Sequence, residues 1–596
     1  MSAGAQIMNS FPDSAYFSDY IVKFLSAQGF EKVVFNPGAS FRGIHDSLVF
    51  EANETFAPEI VMACHEEIAV AIAHGYYKAS GKHMAVLIHA NVGLLHASMA
   101  IFNAWCDRVP LFIIAGNGPI DAAKRRPWID WIHTSTHLPT AVNEFVKWSD
   151  QPTSQAATVE SLYRARKLME VGVPAPVLVA VDFDVQEQPL QGDLLRQIPT
   201  PDVTPQLSGL GDAAISKMAQ KLTDAVAPLI VVDFSGREPA TIDLLIAIAE
   251  HAHAVIIDRG NRFNFPSRHL RNGTQYERSS LMHVDLVVAL EVQDLEGALL
   301  DIFPGQFLHT VTREVEVMAI DCNDLLSSKW ATDYQRHVPN CITYIGDTRA
   351  SLDSLIAKLT NLSEQDHLLA HRADKLFSED LLTRLRGESQ RLIEKQLAEH
   401  RADEMTHVSV AVERIGNALE NTRWVLANSG SLTVDGWVKK LWNLERPNCY
   451  LGLNGGGGLG YGLGASAGAA LALKDENCIC VDLQSDGDFL YTPSGLWTLS
   501  AYNIPLLIIV MNNQLYFNST QHAVRVAGAR NRDIDKAHIA TSFYENPVDF
   551  VRLAQSFNVK AYPVVKNAAD ITATVSEAIA YIHQHGKPAV VELLIQ

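Results

Sequence analysis

The spacing of one aspartate and a pair of asparagines is the most informative chemical feature of this chain. In residues 478–513, CICVDLQSDGDFLYTPSGLWTLSAYNIPLLIIVMNN, one apolar run ends near Asp486 and a second ends in Asn512 and Asn513. Asp486 and Gly487 make a tight turn, and 493–503 carries apolar positions at helical spacing, so the stretch reads strand, turn, helix, strand. Two parallel neighbours joined by a crossover helix bring Asp486 beside Asn513 at the carboxyl end of a sheet, where open α/β sheets bind ligands. A carboxylate and an amide oxygen are hard donors that suit Mg²⁺ or Ca²⁺, and Mg²⁺ completes its shell with phosphate and water. The pattern therefore fits a metal–diphosphate anchor. Asp-Gly and Asn-Asn are also ordinary turn dipeptides, and residue chemistry alone leaves a plain hydrophobic βαβ unit as the other reading.

Other segments carry candidate chemistry. The run NGGGGLGYGLG, 454–464, precedes an Ala-rich helix expected over 465–473. Glycines admit close approach of backbone N–H groups to phosphate, and the helix N-terminus favours an anion; a bend packed for its own sake is the alternative. His65, Glu66 and Glu67 open the helical pattern HEEIAVAIAHGYYKASGK, where acidic residues complement the helix dipole whether or not either has another role. His89 closes a strand-like run just before a turn, a place where a histidine is either structural or functional.

Taken together these segments resemble the thiamine diphosphate (ThDP) enzyme family. SDGDF followed by NN is similar to the family's GDG…NN signature, HEEIAVAIAHGYYKASG to its HE…GYA segment, and LIHANVGLLHASMAIFNAWCDRVPLFIIAGNGP to a segment of benzoylformate decarboxylase and acetohydroxyacid synthase types. The resemblance implies ThDP and Mg²⁺ as cofactors, with Asp486, Asn513 and the Leu515 carbonyl as metal ligands. It implies a cofactor cradle of Gly457, Gly458, Leu459, Asp486, Gly487, Asp488 and Asn513, with Leu459 propping the bent cofactor. Glu66 takes the place of the acid that hydrogen-bonds the aminopyrimidine ring, and His89 that of a catalytic acid or base. Ala39 falls where benzoylformate decarboxylase has a substrate-binding serine, with neighbouring Ser40 as a substitute. Asn117 stands for a common pocket glutamine, while His133, His137, Asn518, Ser519 and His522 are further pocket candidates. Two departures stand out: Ser485 replaces the motif's first glycine, and Asp488 occupies a position usually small and polar.

The expected reaction is non-oxidative decarboxylation of a 2-oxo acid, the product enamine being protonated to an aldehyde or ligated to a second carbonyl compound. A carboligase or a 2-hydroxyacyl-CoA or oxalyl-CoA type lyase is the enzymatic alternative, and a non-catalytic ThDP-fold binding protein the alternative of another class. Basic residues Arg525, Arg530, Arg532 and Lys536 lie in what reads as an inserted loop, 525–546, either a lid for an anionic substrate or a solvated surface. NRFNFPSRHLRNG resembles the central segment of benzoylformate decarboxylase rather than that of flavin-binding members, so no FAD is expected. The family's cross-subunit sites imply a homodimer at least, and a homotetramer as the expected assembly.

These residues need three successive α/β domains with parallel sheets to position them. Strand and helix patterns alternate in a first block, 1–190, corresponding to a pyrimidine-binding domain; a second, 205–362, to a central domain; and a third, 400–596, to a diphosphate-binding domain. The Pro-rich 186–206 reads as a linker and the polar helical 363–403 as a second connector. The chain has 596 residues, too many for one core. A net charge of −19 argues against nucleic acid or an anionic membrane surface as the main partner. No apolar run approaches the roughly 18 residues of a membrane span, and the start lacks a secretory pattern. Seven cysteines without a CxxC pair fit reduced thiols. A cytoplasmic location is expected.

Overall fold

The computed structural model describes residues 15–51, 57–192, 207–303, 315–323, 338, 340–364 and 375–596. Of the expected linker and connector, 193–206 and 365–374 lie outside the described residues.

Three sheets, each wholly parallel, organise the chain. The first runs β2 (Glu59–Met62), β1 (Lys32–Phe35), β3 (Met84–His89), β4 (Phe112–Asn117), β6 (Val177–Asp182) and β5 (Trp148–Asp150). The second runs β11 (Cys341–Ile345), β10 (Glu316–Asp321), β9 (Leu286–Leu290), β7 (Pro228–Val232) and β8 (Val255–Asp258). The third runs β12 (Trp424–Asn428), β13 (Ile479–Ser485), β14 (Leu506–Asn512), β16 (Ala589–Leu594) and β15 (Lys560–Ala561). Central strands of parallel sheets are covered on both faces, which is why β14 reads as the unbroken apolar run LLIIVMN and every one of its residues is buried. The expectation of three parallel α/β domains holds. Every central strand and the edge strands β8 and β12 carry apolar runs that read as strands in the sequence, while the four not anticipated, β2, β5, β11 and β15, are all at sheet edges.

The chain divides into two compact units: residues 1–204, 404–435 and 453–596 form one, and residues 205–403 and 436–452 the other. The second unit holds the β7–β11 sheet, with apolar clusters on both faces around Ile230 and Val288 and around Val231 and Val287. The first unit holds the other two sheets and every candidate site residue.

Inside the first unit, the helix Glu66–Ser80 lies against the helix Tyr461–Ala472 at backbone contact. A methyl group at Gly75 would stand 1.8 Å from the Ala465 carbonyl oxygen, and one at Gly468 would stand 1.9 Å from that of Ile72. The second helix begins at Tyr461, earlier than expected, because Gly462 and Gly464 serve as helical contact positions rather than loop: a methyl at Gly464 would meet Ala71 at 2.7 Å. A helix apolar on all sides is a buried one, and residues 461–471 are all buried. The expected inserted loop differs as well, since Arg525 lies in the helix Phe517–Ala529 and a 3₁₀ turn follows at Ile534–Lys536.

Gly75→Ala forces these two helices apart and is expected to cost about 1–3 kcal/mol, the range for overpacking an interior contact. The melting temperature of the variant checks this, and an unchanged value would contradict the backbone contact.

Candidate active site

Asp486 follows β13 directly, and the register pairs Ser485 with Met511 of β14, which sets Asp486 opposite the Asn512–Asn513 corner. The Asp486 Oδ1 accepts the Gly487 N–H at 2.8 Å. Its Oδ2 is buried without a hydrogen-bond partner. Burial pushes the carboxyl up to about 6, against backbone N–H groups of Gly487, Gln514, Leu515 and Asn513 that pull it down. A buried acceptor without a donor is costly, and a cation is the group that would complete it.

The two asparagines divide their work. Asn512 is buried, donates to the Glu592 carboxylate at 2.7 Å and accepts the Gln514 N–H at 2.9 Å, so it fixes the corner. Asn513 is half-buried, its Oδ1 accepting the Leu515 N–H at 3.2 Å. Gln514 takes φ +60°, which turns the chain back so that Tyr516 covers Gly487. The residues present thus fit a hard divalent cation: one unfilled carboxylate oxygen, one amide oxygen and the adjacent Leu515 carbonyl.

The glycine-rich turn sits on the helix Ala90–Cys106. Methyl groups at Gly455, Gly456 and Gly458 would strike Asp107, Asn103 and Met99, while Asn103 and Asn454 tether the Gly458 peptide. Gly457 is exposed and Leu459 half-buried within this turn. Below it, Lys78 is buried with its ammonium 3.0 Å from Asp107 and 3.3 Å from the Tyr461 hydroxyl, and His74 lies 3.0 Å from the same carboxylate. Burial alone would raise the Asp107 carboxyl, but Lys78 and His74 together hold it below its ordinary value. Sequence gave no sign of this cluster, because its members come from two helices and a loop.

On the side of the first sheet, Glu66 opens its helix, is 6% exposed, and points its Oε1 at Gly93, where a methyl would stand 2.9 Å away. His89 ends β3. The Ser40 N–H donates to its Nδ1 at 3.3 Å and the Ser40 hydroxyl lies 2.9 Å from the same nitrogen while accepting the Ala90 N–H. A backbone N–H can only donate, so Nδ1 is the acceptor and a neutral His89 carries its proton on Nε2. Burial, then the neighbouring His133 ring 4.8 Å away, pushes His89 down from its ordinary value. Ser40 is thus buried behind His89, whereas Ala39 is exposed.

Other pocket candidates fall apart from this pair. Asn117 is fully buried and spends its amide on Gly118, Ser135 and Asp182, which makes it a loop anchor. Asn518, Ser519 and His522 are exposed on a helix that buries none of its residues, and His137 is exposed. The acid that reaches the glycine-rich turn is Glu67, read from sequence only as a helix-end charge: its Oε1 stands 2.9 Å from a methyl position on Gly460. Burial, then the Asp488 charge, pushes Glu67 up to about 7. Asp488 accepts the Gly460 N–H at 2.6 Å and also bonds Gln484.

This constellation occupies two matched domains. Residues 16–139 match the N-terminal TPP binding domain of thiamine pyrophosphate enzymes, and residues 429–593 match the C-terminal TPP binding domain. The chain belongs to the thiamine pyrophosphate enzyme family. It is 25% identical over 538 residues to the chloroplastic acetolactate synthase of Arabidopsis thaliana, covering 83% of this chain and 70% of that protein. It is 23% identical over 214 residues to benzoylformate decarboxylase of Pseudomonas aeruginosa, 35% of this chain and 39% of that protein. In fold it is similar to the thiamine diphosphate-dependent 4-hydroxybenzoylformate decarboxylase of Rhodococcus jostii RHA1, with TM-score 0.74, 19% identity and coverage of 98% and 99% of the two chains. Among the described residues no helix is long and apolar enough to cross a membrane.

The raised Glu67 gives a signed expectation. Its folded value near 7 lies above the ordinary 4.5, so the ionised form is penalised in the folded protein and stability is lost as pH rises through that window. Glu67→Gln removes the penalty: the variant should melt above the parent at pH 8, with the gap closing toward pH 5. A gap that does not change with pH would contradict the assignment.

Proposed function

We propose that this chain is a ThDP- and Mg²⁺-dependent lyase that decarboxylates a 2-oxo acid without oxidation, releasing an aldehyde or ligating the product to a second carbonyl compound. The observation that carries the reading is the buried Asp486 Oδ2 without a partner, set beside Asn513 at the strand ends of a matched TPP binding domain. Asp486, Asn513 and the Leu515 carbonyl would hold the divalent ion that carries the diphosphate, and Leu459 would support the bent cofactor. When bound, ThDP supplies the nucleophilic carbon and the electron sink that loss of CO₂ requires.

The remaining work belongs to the chain. Glu66, buried at its helix N-terminus, would hydrogen-bond the aminopyrimidine of the bound cofactor and so hold a proton at that ring. His89, neutral and with its proton on Nε2, donates to the carbonyl or carboxylate oxygen of the 2-oxo acid, and Ser40 fixes the ring that makes this possible. Glu66 is buried and His89 half-buried, which limits the access of water to the Glu66 carboxyl. A cytoplasmic homodimer or homotetramer is the assembly that goes with this reading.

One observation favours a second substrate class. Arg525, Arg530, Arg532 and Lys536 are exposed on and just after the Phe517–Ala529 helix, in a chain whose overall charge is −19, and they suit an anionic or acyl-CoA substrate. Incubation with pyruvate, benzoylformate and an acyl-CoA, each with and without an aldehyde acceptor, separates a decarboxylase from a carboligase or a CoA lyase by product. Absence of turnover with ThDP bound would favour a binding protein. Independently of substrate, Glu66→Gln should leave ThDP binding nearly unchanged while slowing deuterium exchange at the thiazolium carbon by about 10²–10⁴-fold, the range for loss of acid–base assistance; exchange at the parental rate would refute the role of Glu66.

A further inference from the structure

The helix Tyr461–Ala472 has no side-chain cap of its own: its N-cap residue is Gly460, in the left-handed region at φ +92°. The first backbone donors of a helix need acceptors, and the pattern of the glycine-rich turn allots this end to a phosphate. A carboxylate from elsewhere in the chain already stands there. Asp488 Oδ1 accepts the Gly460 N–H at 2.6 Å, and the Gly462 N–H also reaches this carboxylate. Its Oδ2 is held by the Gln484 amide, whose strand ends at Ser485, next to the metal-binding aspartate. The opposite side of the same glycine is fixed as well, because the Thr492 hydroxyl donates to the Gly460 carbonyl at 2.8 Å. Both Asp488 and Thr492 come from the segment that follows Asp486. The glycine-rich turn is therefore stapled at N–H and C=O to the turn that carries the metal ligand.

We propose that Asp488 is a positioning residue that caps the Tyr461–Ala472 helix with an internal anion and so assembles the glycine-rich turn on the Asp486 turn before any cofactor arrives. A small polar residue is the usual choice at this position in the pattern the sequence resembles; aspartate instead supplies two carboxylate oxygens, one to the Gly460 N–H and one to the Gln484 amide. The diphosphate then has the Asp486 and Asn513 side as its anchor, and the glycine-rich turn contributes shape rather than a vacant anion site. This inference rests on the proposed cofactor, but its structural half does not need the cofactor to be present.

The test compares the full-length parent with Asp488→Ala and Asp488→Asn. Asparagine keeps one acceptor oxygen for the Gly460 N–H but loses the one that takes the Gln484 amide, whereas alanine keeps neither. Hydrogen exchange of peptides covering 455–463 in the cofactor-free chain should show protection in the parent, loss of about tenfold or more in Asp488→Ala, and a clearly smaller loss in Asp488→Asn. The dissociation constant for ThDP with Mg²⁺, measured by titration calorimetry, should rise about tenfold in Asp488→Ala and by clearly less in Asp488→Asn. Parental protection and affinity in Asp488→Ala would overturn the proposal, as would equal loss in both variants. If Asp488→Ala does not fold, the asparagine variant decides alone: a loss clearly below about tenfold supports the cap and a larger one overturns it. A parent that fails to bind ThDP counts against the proposed function, while the exchange comparison still decides the role of Asp488.

Discussion

The contact of two backbones is the constraint on which the rest of the site depends. Where Gly75 meets Ala465 and Gly468 meets Ile72, the helices Glu66–Ser80 and Tyr461–Ala472 approach too closely for any side chain to intervene. That approach fixes Glu66 and Glu67 relative to the glycine-rich turn. It also explains why Tyr461–Ala472 is built largely from Ala and Gly, and it lies above the buried Lys78, His74 and Asp107 cluster. The buried Lys78–Asp107 ion pair ties the Glu66–Ser80 helix to the end of the Ala90–Cys106 helix; such a pair is weak evidence for stability, but it restricts how those elements can slide, since another register would strand a charge.

A second constraint is electrostatic. Asp482, Asp486, Asp488 and Glu67 are carboxyls crowded around the start of one helix and the end of one strand, and burial raises all four. Three of them have donors or a partial exit to solvent: Asp482 is met by Asn428 at 2.9 Å, Asp488 by Gly460 and Gln484, and Glu67 is half-buried. Asp482 and Asp486 each keep one buried oxygen without a hydrogen-bond partner, but Asp482 lies within β13 whereas Asp486 stands at the strand's end, opposite the Asn512–Asn513 corner. The negative field of the group makes a cation at that point more favourable, and a cation there in turn makes room for a diphosphate.

Much of this was legible in the residues. The strands that carry Asp486, Asn513, Glu592 and His89 are central, covered on both faces, and therefore written as continuous apolar runs. Edge strands such as β5, WSD, and β15, Lys560–Ala561, bury too little to leave a pattern, and they were not anticipated. The glycine run was read as loop through residue 464 because glycine signals both a turn and a close approach, and the sequence does not distinguish them; here Gly460 is the turn while Gly462 and Gly464 are contacts. Ser40 and Asn117 read as pocket candidates by resemblance, yet what their side chains touch is a tertiary fact. Ser40 orients His89, and Asn117 ties its own loop to Asp182. Glu67 was hidden by Glu66, since two adjacent acids at a helix start look like one electrostatic motif until their directions are known.

Titration calorimetry of ThDP into the parent chain, with Mg²⁺ and again in excess EDTA, distinguishes a diphosphate bound through a divalent ion on Asp486 and Asn513 from one bound without it. Binding with Mg²⁺ should weaken about a hundredfold or more in its absence; ThDP binding of equal strength in EDTA would contradict a metal anchor at Asp486.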